Sequence, residues 1–126
     1  MEEVCEAVMT VTEEKTARAM GSGDLPVLAT PAMIALMENA AMRCAARGLP
    51  QGITTVGTRM EVSHDRASAV GARITARATL LEKTERTFTF RVEAFEGETR
   101  IGAGTHTRAT VQAERFLAKL NRGGAQ

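Results

Sequence analysis

A glutamate inside an apolar run is the first residue to require a chemical explanation. Glu38 stands in Met33-Ile34-Ala35-Leu36-Met37-Glu38-Asn39-Ala40-Ala41-Met42, where a carboxylate taken out of water is costly unless it is paired or hydrogen-bonded. It needs a partner or a task; a solvent channel or bonds to backbone groups are the readings without chemistry. His64 follows Val56, Thr58, Met60 and Val62 at period two, so strict alternation carries its imidazole to the same inward face. Beside a buried carboxylate, a neutral histidine is held in one tautomer and can accept and return protons near neutral pH. The plainer alternative is that His64 caps the loop Ser63-His64-Asp65-Arg66. Thr30 precedes Pro31 and reads as a helix N-cap. A hydroxyl there also lies in a field that favours negative charge, beside backbone N–H groups able to hold an oxyanion.

Other chemistries find less support. Cys5 and Cys44 have no CxxC spacing, and a secreted disulfide framework uses cysteines more densely, so both are expected as reduced thiols, Cys44 in the core. His106 alternates with Gly102, Gly104 and Arg108, opposite Ile101, Ala103 and Thr105, and is expected at the surface or an interface. Two histidines without ligand spacing give a zinc hydrolase little to build on, so no metal site is expected. The sequence carries no Walker glycine loop, G-x-S-x-G elbow or dinucleotide fingerprint.

These residues need a scaffold, and its pattern is legible. Residues 4–11 suit an edge strand, and residues 12–23 a short helical turn or loop leading to Pro26. Ala32 to Arg47 is rich in Ala, Met and Leu and is stopped by Gly48 and Pro50; with so little polar surface it is expected to be a central, buried helix. Alternation then predicts four strands: the one ending at His64, Val70 to Leu80, Phe88 to Ala94, and about Arg100 to Val111, with polar turns at 83–86 and 96–98. Residues 113–120 read as a terminal helix. One apolar helix and about five antiparallel strands are best satisfied by a sheet curling around the helix. This is an α+β arrangement, the hotdog architecture, as a single domain over residues 1–126. An edge strand and part of a face would remain uncovered, which a symmetric homodimer would complete.

Composition bounds the partners. With 16 basic and 15 acidic residues, a net charge of +1 gives no broad field for nucleic acid or an anionic membrane. All four aromatic residues are Phe, too few for base-stacking platforms. The N-terminus has no basic segment followed by an apolar one, and no run approaches the roughly 20 apolar residues that span a bilayer. A cytoplasmic protein is the expectation.

Taken in order, Val27-Leu28-Ala29-Thr30, Leu36-Met37-Glu38, Thr55-Val56-Gly57 through Val62-Ser63-His64, the run from Ile101 to Ala109, and Arg115 to Leu120 resemble the fluoroacetyl-CoA thioesterase family of hotdog thioesterases. The resemblance extends from about Thr10 to Leu120. It implies a Thr, Glu and His triad at Thr30, Glu38 and His64, with a family glycine at Gly57 and an arginine at Arg108 as substrate-binding positions. It further implies hydrolysis of a small acyl-CoA, with CoA as leaving group and no cofactor. The phenylalanine-bearing segment that lids the family's fluoroacetyl pocket has no counterpart in Gly21-Ser22-Gly23-Asp24-Leu25-Pro26, so another small acyl group is expected. Thr30 and Glu38 are eight residues apart, roughly 12 Å along a helix, which one imidazole barely bridges; a site at or near a dimer interface relieves this. The rival reading is a non-catalytic module that binds acyl-CoA or a small acid.

Overall fold

The computed structural model describes residues 3–123. Strand β1 (Val4–Thr10) leads through a single 3-10 turn (Glu13–Lys15) to the short helix α1 (Ala17–Met20). Helix α2 (Thr30–Ala46) is followed by β2 (Ile53–His64), β3 (Arg73–Lys83), β4 (Thr87–Glu96), β5 (Thr99–Gln112) and helix α3 (Ala113–Gly123). The strands form one antiparallel sheet in the order β1-β3-β4-β5-β2, leaving β1 and β2 as its edges. The expected α+β, five-stranded hotdog architecture is therefore what forms, although β3 begins at Arg73 and leaves Val70 exposed.

Helix α2 lies across the concave face of this sheet. Ala32, Met33, Leu36, Met37, Ala40, Ala41, Cys44 and Ala45 make one buried stripe against Ile74, Ala76, Ala78, Phe90, Val92 and Ala94. The sheet side is built from alanines at alternate positions, which lets the helix approach closely, while Met33 and Met37, fully buried, fill the irregular space between. Each such methionine contributes on the order of 1.5–3 kcal/mol through burial. The helix is not buried all round as its composition suggests: Pro31, Ala35 and Met42 are exposed, so an apolar strip faces away from the sheet. In β1 the inward residues are Cys5 and Ala7, whereas Val4 and Val8 point outward.

Cys5 and Cys44 are not free thiols but a disulfide joining β1 to the C-terminal half of α2. The two residues are 39 apart in sequence and their Cα atoms 5.6 Å apart in space, a proximity that only the crossing of β1 over α2 creates. Closing a loop of that length stabilises a fold by about 2–4 kcal/mol. The pairing also removes reduced thiols as a ground for assigning a compartment. No described helix is long and apolar enough to cross a membrane.

Three one-residue bulges adjust the faces of the sheet. In β2, Gly57 pairs with Arg108 and Arg59 with Thr107, so Thr58 is the extra residue. In β5, Ala94 pairs with Gly102 and Phe95 with Arg100, leaving Ile101 unpaired. In β3, Leu81 is extra. A bulge shifts the alternation by one and sends every later side chain to the other face.

Candidate active site

Thr30 is placed by the chain on either side of it. The Leu28 N–H donates to the Ser68 carbonyl at 2.8 Å and the Ala29 N–H to the Lys15 carbonyl at 2.9 Å, while Thr16, fully buried, caps α1 by accepting from the Ala19 N–H at 3.2 Å. The entry to α2 is thus laced between the 3-10 turn and the 66–69 loop. Thr30 is not the N-cap: Ala29 holds that position in extended conformation and Thr30 is the first helical residue. Its hydroxyl is free of capping and lies 2.8 Å from Nδ1 of His64. The helix terminus offers fewer donors than expected, because Pro31 has no N–H and those of Ala32 and Met33 donate to the Ala29 carbonyl at 3.0 and 3.1 Å.

His64 closes β2 on the inward face, as alternation requires, but the register is reset on the way. The bulge at Thr58 puts Thr55 and Gly57 inward before it and Met60, Val62 and His64 inward after it, so Val56 and Thr58 do not share the histidine's face. Immediately beyond His64, the N–H groups of Asp65 and Arg66 both donate to the carbonyl of the bulged Ile101, at 2.7 and 3.3 Å, which turns the chain. Its Nε2 is enclosed without a hydrogen-bond partner. A pocket of about 260 Å³ opens over this pair, lined among others by Ala17, Ser22, Val27, Thr30, His64 and Arg66.

Glu38 belongs to a different cluster. Its side chain is 42% exposed, with Oε2 3.7 Å from Nη1 of Arg108 and 3.9 Å from Nε2 of His106. Among the described residues it makes no ion pair with His64. It faces a second pocket of about 280 Å³ lined by Ala35, Glu38, Asn39, Met42 and Arg108. Gly57 lies directly beneath: a Cβ there would stand 2.6 Å from Oε2 of Glu38, so only glycine lets the carboxylate rest against β2. The structure therefore brings Glu38, Gly57 and Arg108 together, and Thr30 with His64, as two separate groups.

His106 was misplaced by sequence alternation, because Ile101 is the residue that breaks the alternation of β5. Gly102, Gly104, His106 and Arg108 all take the inward face, and His106 is 1% exposed. Its Nδ1 lies 2.7 Å from the Arg59 carbonyl oxygen and its Nε2 3.2 Å from Nη1 of Arg108. Arg108 in turn donates from Nε to Thr55 Oγ1 at 2.8 Å and from Nη2 to the Thr55 carbonyl at 3.0 Å. Burial pushes the His106 imidazole below its ordinary value; the Arg59 carbonyl opposes this, the Arg108 cation adds to it, and Glu38 opposes it. Burial likewise lowers Arg108, against the pull of Glu38, but a guanidinium remains cationic in this setting. The signal in the sequence was a pair of polar residues at period two on the same strand, hidden by the bulge.

The sequence profile of a family described as fluoroacetyl-CoA-specific thioesterase matches residues 11–114. A fluoroacetyl-CoA thioesterase of Streptantibioticus cattleyicolor is 39% identical over 94 residues, 75% of this chain and 68% of that protein. A solved fluoroacetyl-CoA thioesterase superposes with a TM-score of 0.90 at 34% identity, covering 97% of this chain and 95% of that one. A variant of such an enzyme in complex with acetyl-CoA gives a TM-score of 0.90 at 33% identity, with 96% of each chain covered.

Proposed function

This chain belongs to the fluoroacetyl-CoA-specific thioesterase family and is an acyl-CoA thioester hydrolase, and from that premise we propose that it cleaves a small acyl-CoA in a site completed by a second copy of itself. Thr30 and His64 carry the bond-making step. The Thr30 hydroxyl gives its proton to His64 Nδ1, 2.8 Å away, as its oxygen adds to the thioester carbonyl. The tetrahedral intermediate collapses, the carbon–sulfur bond breaks, and CoA leaves with the proton from His64. Water, deprotonated by the same imidazole, then hydrolyses the acyl–threonine ester and restores the hydroxyl.

Each of these steps passes through a charged imidazole, and a charge formed in an enclosed site needs a counter-charge. Glu38 is a suitable carboxylate, but within its own chain it lies with Arg108 and His106 rather than with His64. That separation is the observation that carries the shared-site reading. The exposed apolar strip Pro31, Ala35 and Met42 on α2 and the open edge of β2 are the surfaces a second copy would cover. A symmetric pairing across α2 presents Glu38 of one copy, with its Arg108 and Gly57, to Thr30 and His64 of the other.

The acyl end favours a group other than fluoroacetyl. The pocket over Thr30 is bounded by Ala17, Ser22, Val27 and Leu28 beside His64, and among the described residues no phenylalanine contributes to it. An acetyl-sized or slightly larger acyl group fits such a wall, and the acetyl-CoA complex of a relative accords with that size.

The test mixes two inactive proteins. Glu38→Gln and His64→Ala are each expected to lose at least about 10²-fold in turnover on acetyl-CoA while remaining folded. Unfolded together and refolded at equal amounts, they should regain up to about a quarter of wild-type activity, because half the pairs are mixed and each has one intact site. Inactivity of every mixture, with mixed pairs shown to form, would place the triad within one chain; full turnover by either single variant would remove that residue from the chemistry.

A further inference from the structure

The chain holds two histidines, and the proposed chemistry employs only His64. His106 is the better buried, packed in a row between Phe90 of β4 and Met60 of β2, where a polar ring would be destabilising without hydrogen-bond partners. Its hydrogen bonds leave no freedom of assignment. The Arg59 carbonyl oxygen can only accept, so Nδ1 carries the hydrogen. Nη1 of Arg108 can only donate, so Nε2 presents a lone pair. Both bonds hold together in one form alone, the neutral Nδ1–H tautomer.

This form has a consequence for Arg108. Nε and Nη2 are anchored on Thr55, and Nη1 directs one N–H at His106, which leaves its second N–H on the side of Glu38 Oε2, 3.7 Å away. A carboxylate in place of His106 would also hold the guanidinium but would neutralise it. A neutral imidazole fixes the plane of the fork and leaves the whole positive charge for Glu38.

We propose that His106 is a positioning residue for thioester hydrolysis, a neutral acceptor that orients Arg108 so that its charge is directed at Glu38. The proposal rests on the reading of Glu38 as the reaction's carboxylate. The groups facing the ring are Glu38 from α2, the Arg59 carbonyl and Met60 from β2, Phe90 from β4, and Arg108 on its own strand, so no further charge competes for Nε2.

With only two histidines, nitrogen-15 NMR of histidine-labelled protein reads the ring directly, and His64→Ala assigns the signals. His106 should show the Nδ1–H tautomer and be neutral at about pH 7. The Nε2–H tautomer, or an imidazolium at that pH, would overturn the proposal without any reference to activity. Kinetics supply the second readout. His106→Asn keeps an N–H for the Arg59 carbonyl and offers Arg108 nothing; it should lower kcat about 10-fold with KM changed less than about 2-fold. His106→Gln can place its amide oxygen near the Nε2 position and should recover at least about half of wild-type kcat. Equal activity of the two variants, or losses that track unfolding, would make His106 merely structural. Glu38→Gln separates the failures: an inactive Glu38→Gln beside an unimpaired His106→Asn removes this proposal alone, whereas an active Glu38→Gln removes the reading beneath it.

Discussion

The two halves of the candidate site lie along the same helix and are built on opposite principles. At its N-terminus, Thr30 and His64 share one hydrogen bond of 2.8 Å, and the other nitrogen of the imidazole is enclosed without a partner. Two turns further on, Glu38 faces an arginine whose three nitrogens are each bonded to Thr55 or His106, and a histidine bonded at both nitrogens. The first half is left under-determined, as a group must be if it is to accept and release protons. The second is over-determined, as a group must be if it is to hold a charge in place. On the proposed reading, the proton relay of Thr30 and His64 and the arginine that faces Glu38 are kept apart within one chain, because about 12 Å of helix lies between Thr30 and Glu38.

The sharpest way to break this contrast is at Thr30. Thr30→Val keeps the shape of the side chain and removes the hydroxyl, and turnover should fall by at least about 10³-fold. Because Ala29 is the cap and the Thr30 side chain makes no capping bond, stability should change by less than about 0.5 kcal/mol rather than the ~1 kcal/mol typical of a lost cap. Thr30→Ser should retain about a tenth or more of the activity. A large loss of stability in Thr30→Val, measured by urea unfolding, would show that the threonine's main work is structural after all.

A smaller effect is expected on the other side. In Gly57→Ala the new methyl group would meet Glu38 Oε2 at 2.6 Å and His106 Cε1 at 3.1 Å. The carboxylate, the far end of a flexible side chain, moves aside, while the His106 ring, held at both nitrogens, has to give by a few tenths of an ångström. Turnover should fall about 10- to 100-fold, the usual cost of a misplacement near 1 Å, with stability lowered by about 1 kcal/mol through crowding of the His106 ring. Normal turnover in this variant would show that Glu38 need not rest against β2.

What the sequence yielded and what it withheld follow from one physical distinction. The helix, the strands and the inward placement of His64 depend on local periodicity, and each was legible. The cap at Ala29 instead of Thr30 was not, because Thr-Pro satisfies the residue preferences of a cap one position late. The burial of His106 was hidden because the bulge at Ile101 leaves no mark in the pattern of residue types, yet reverses the facing of everything after it. The Cys5–Cys44 bridge was hidden because it depends on β1 crossing α2, a long-range event. Glu38 is expected out of water from its apolar neighbours in sequence, yet its side chain is 42% exposed, and the groups it faces, Arg108 and His106, come from a strand whose phase the bulge conceals.

The smallest expected effect concerns stability and pH, and it comes from His106. Burial holds the folded-state value of His106 below the ordinary 6.5 that applies when the chain is unfolded. The unfolded chain therefore binds a proton more readily, and acid favours unfolding. The stability owed to the neutral ring is fully present above about pH 6.5 and is lost as pH falls toward the folded-state value, with a slope of up to about 1.4 kcal/mol per pH unit for one proton. Urea midpoints of wild type should decline across this window, and those of His106→Gln, which keeps an acceptor for Arg108 without a titrating ring, should lack that part of the decline. Identical pH profiles would mean that protonated His106 is tolerated in the fold. A guanidinium 3.2 Å from Nε2 makes that costly, since the added proton would remove the lone pair accepting from Arg108 and set two cations against each other.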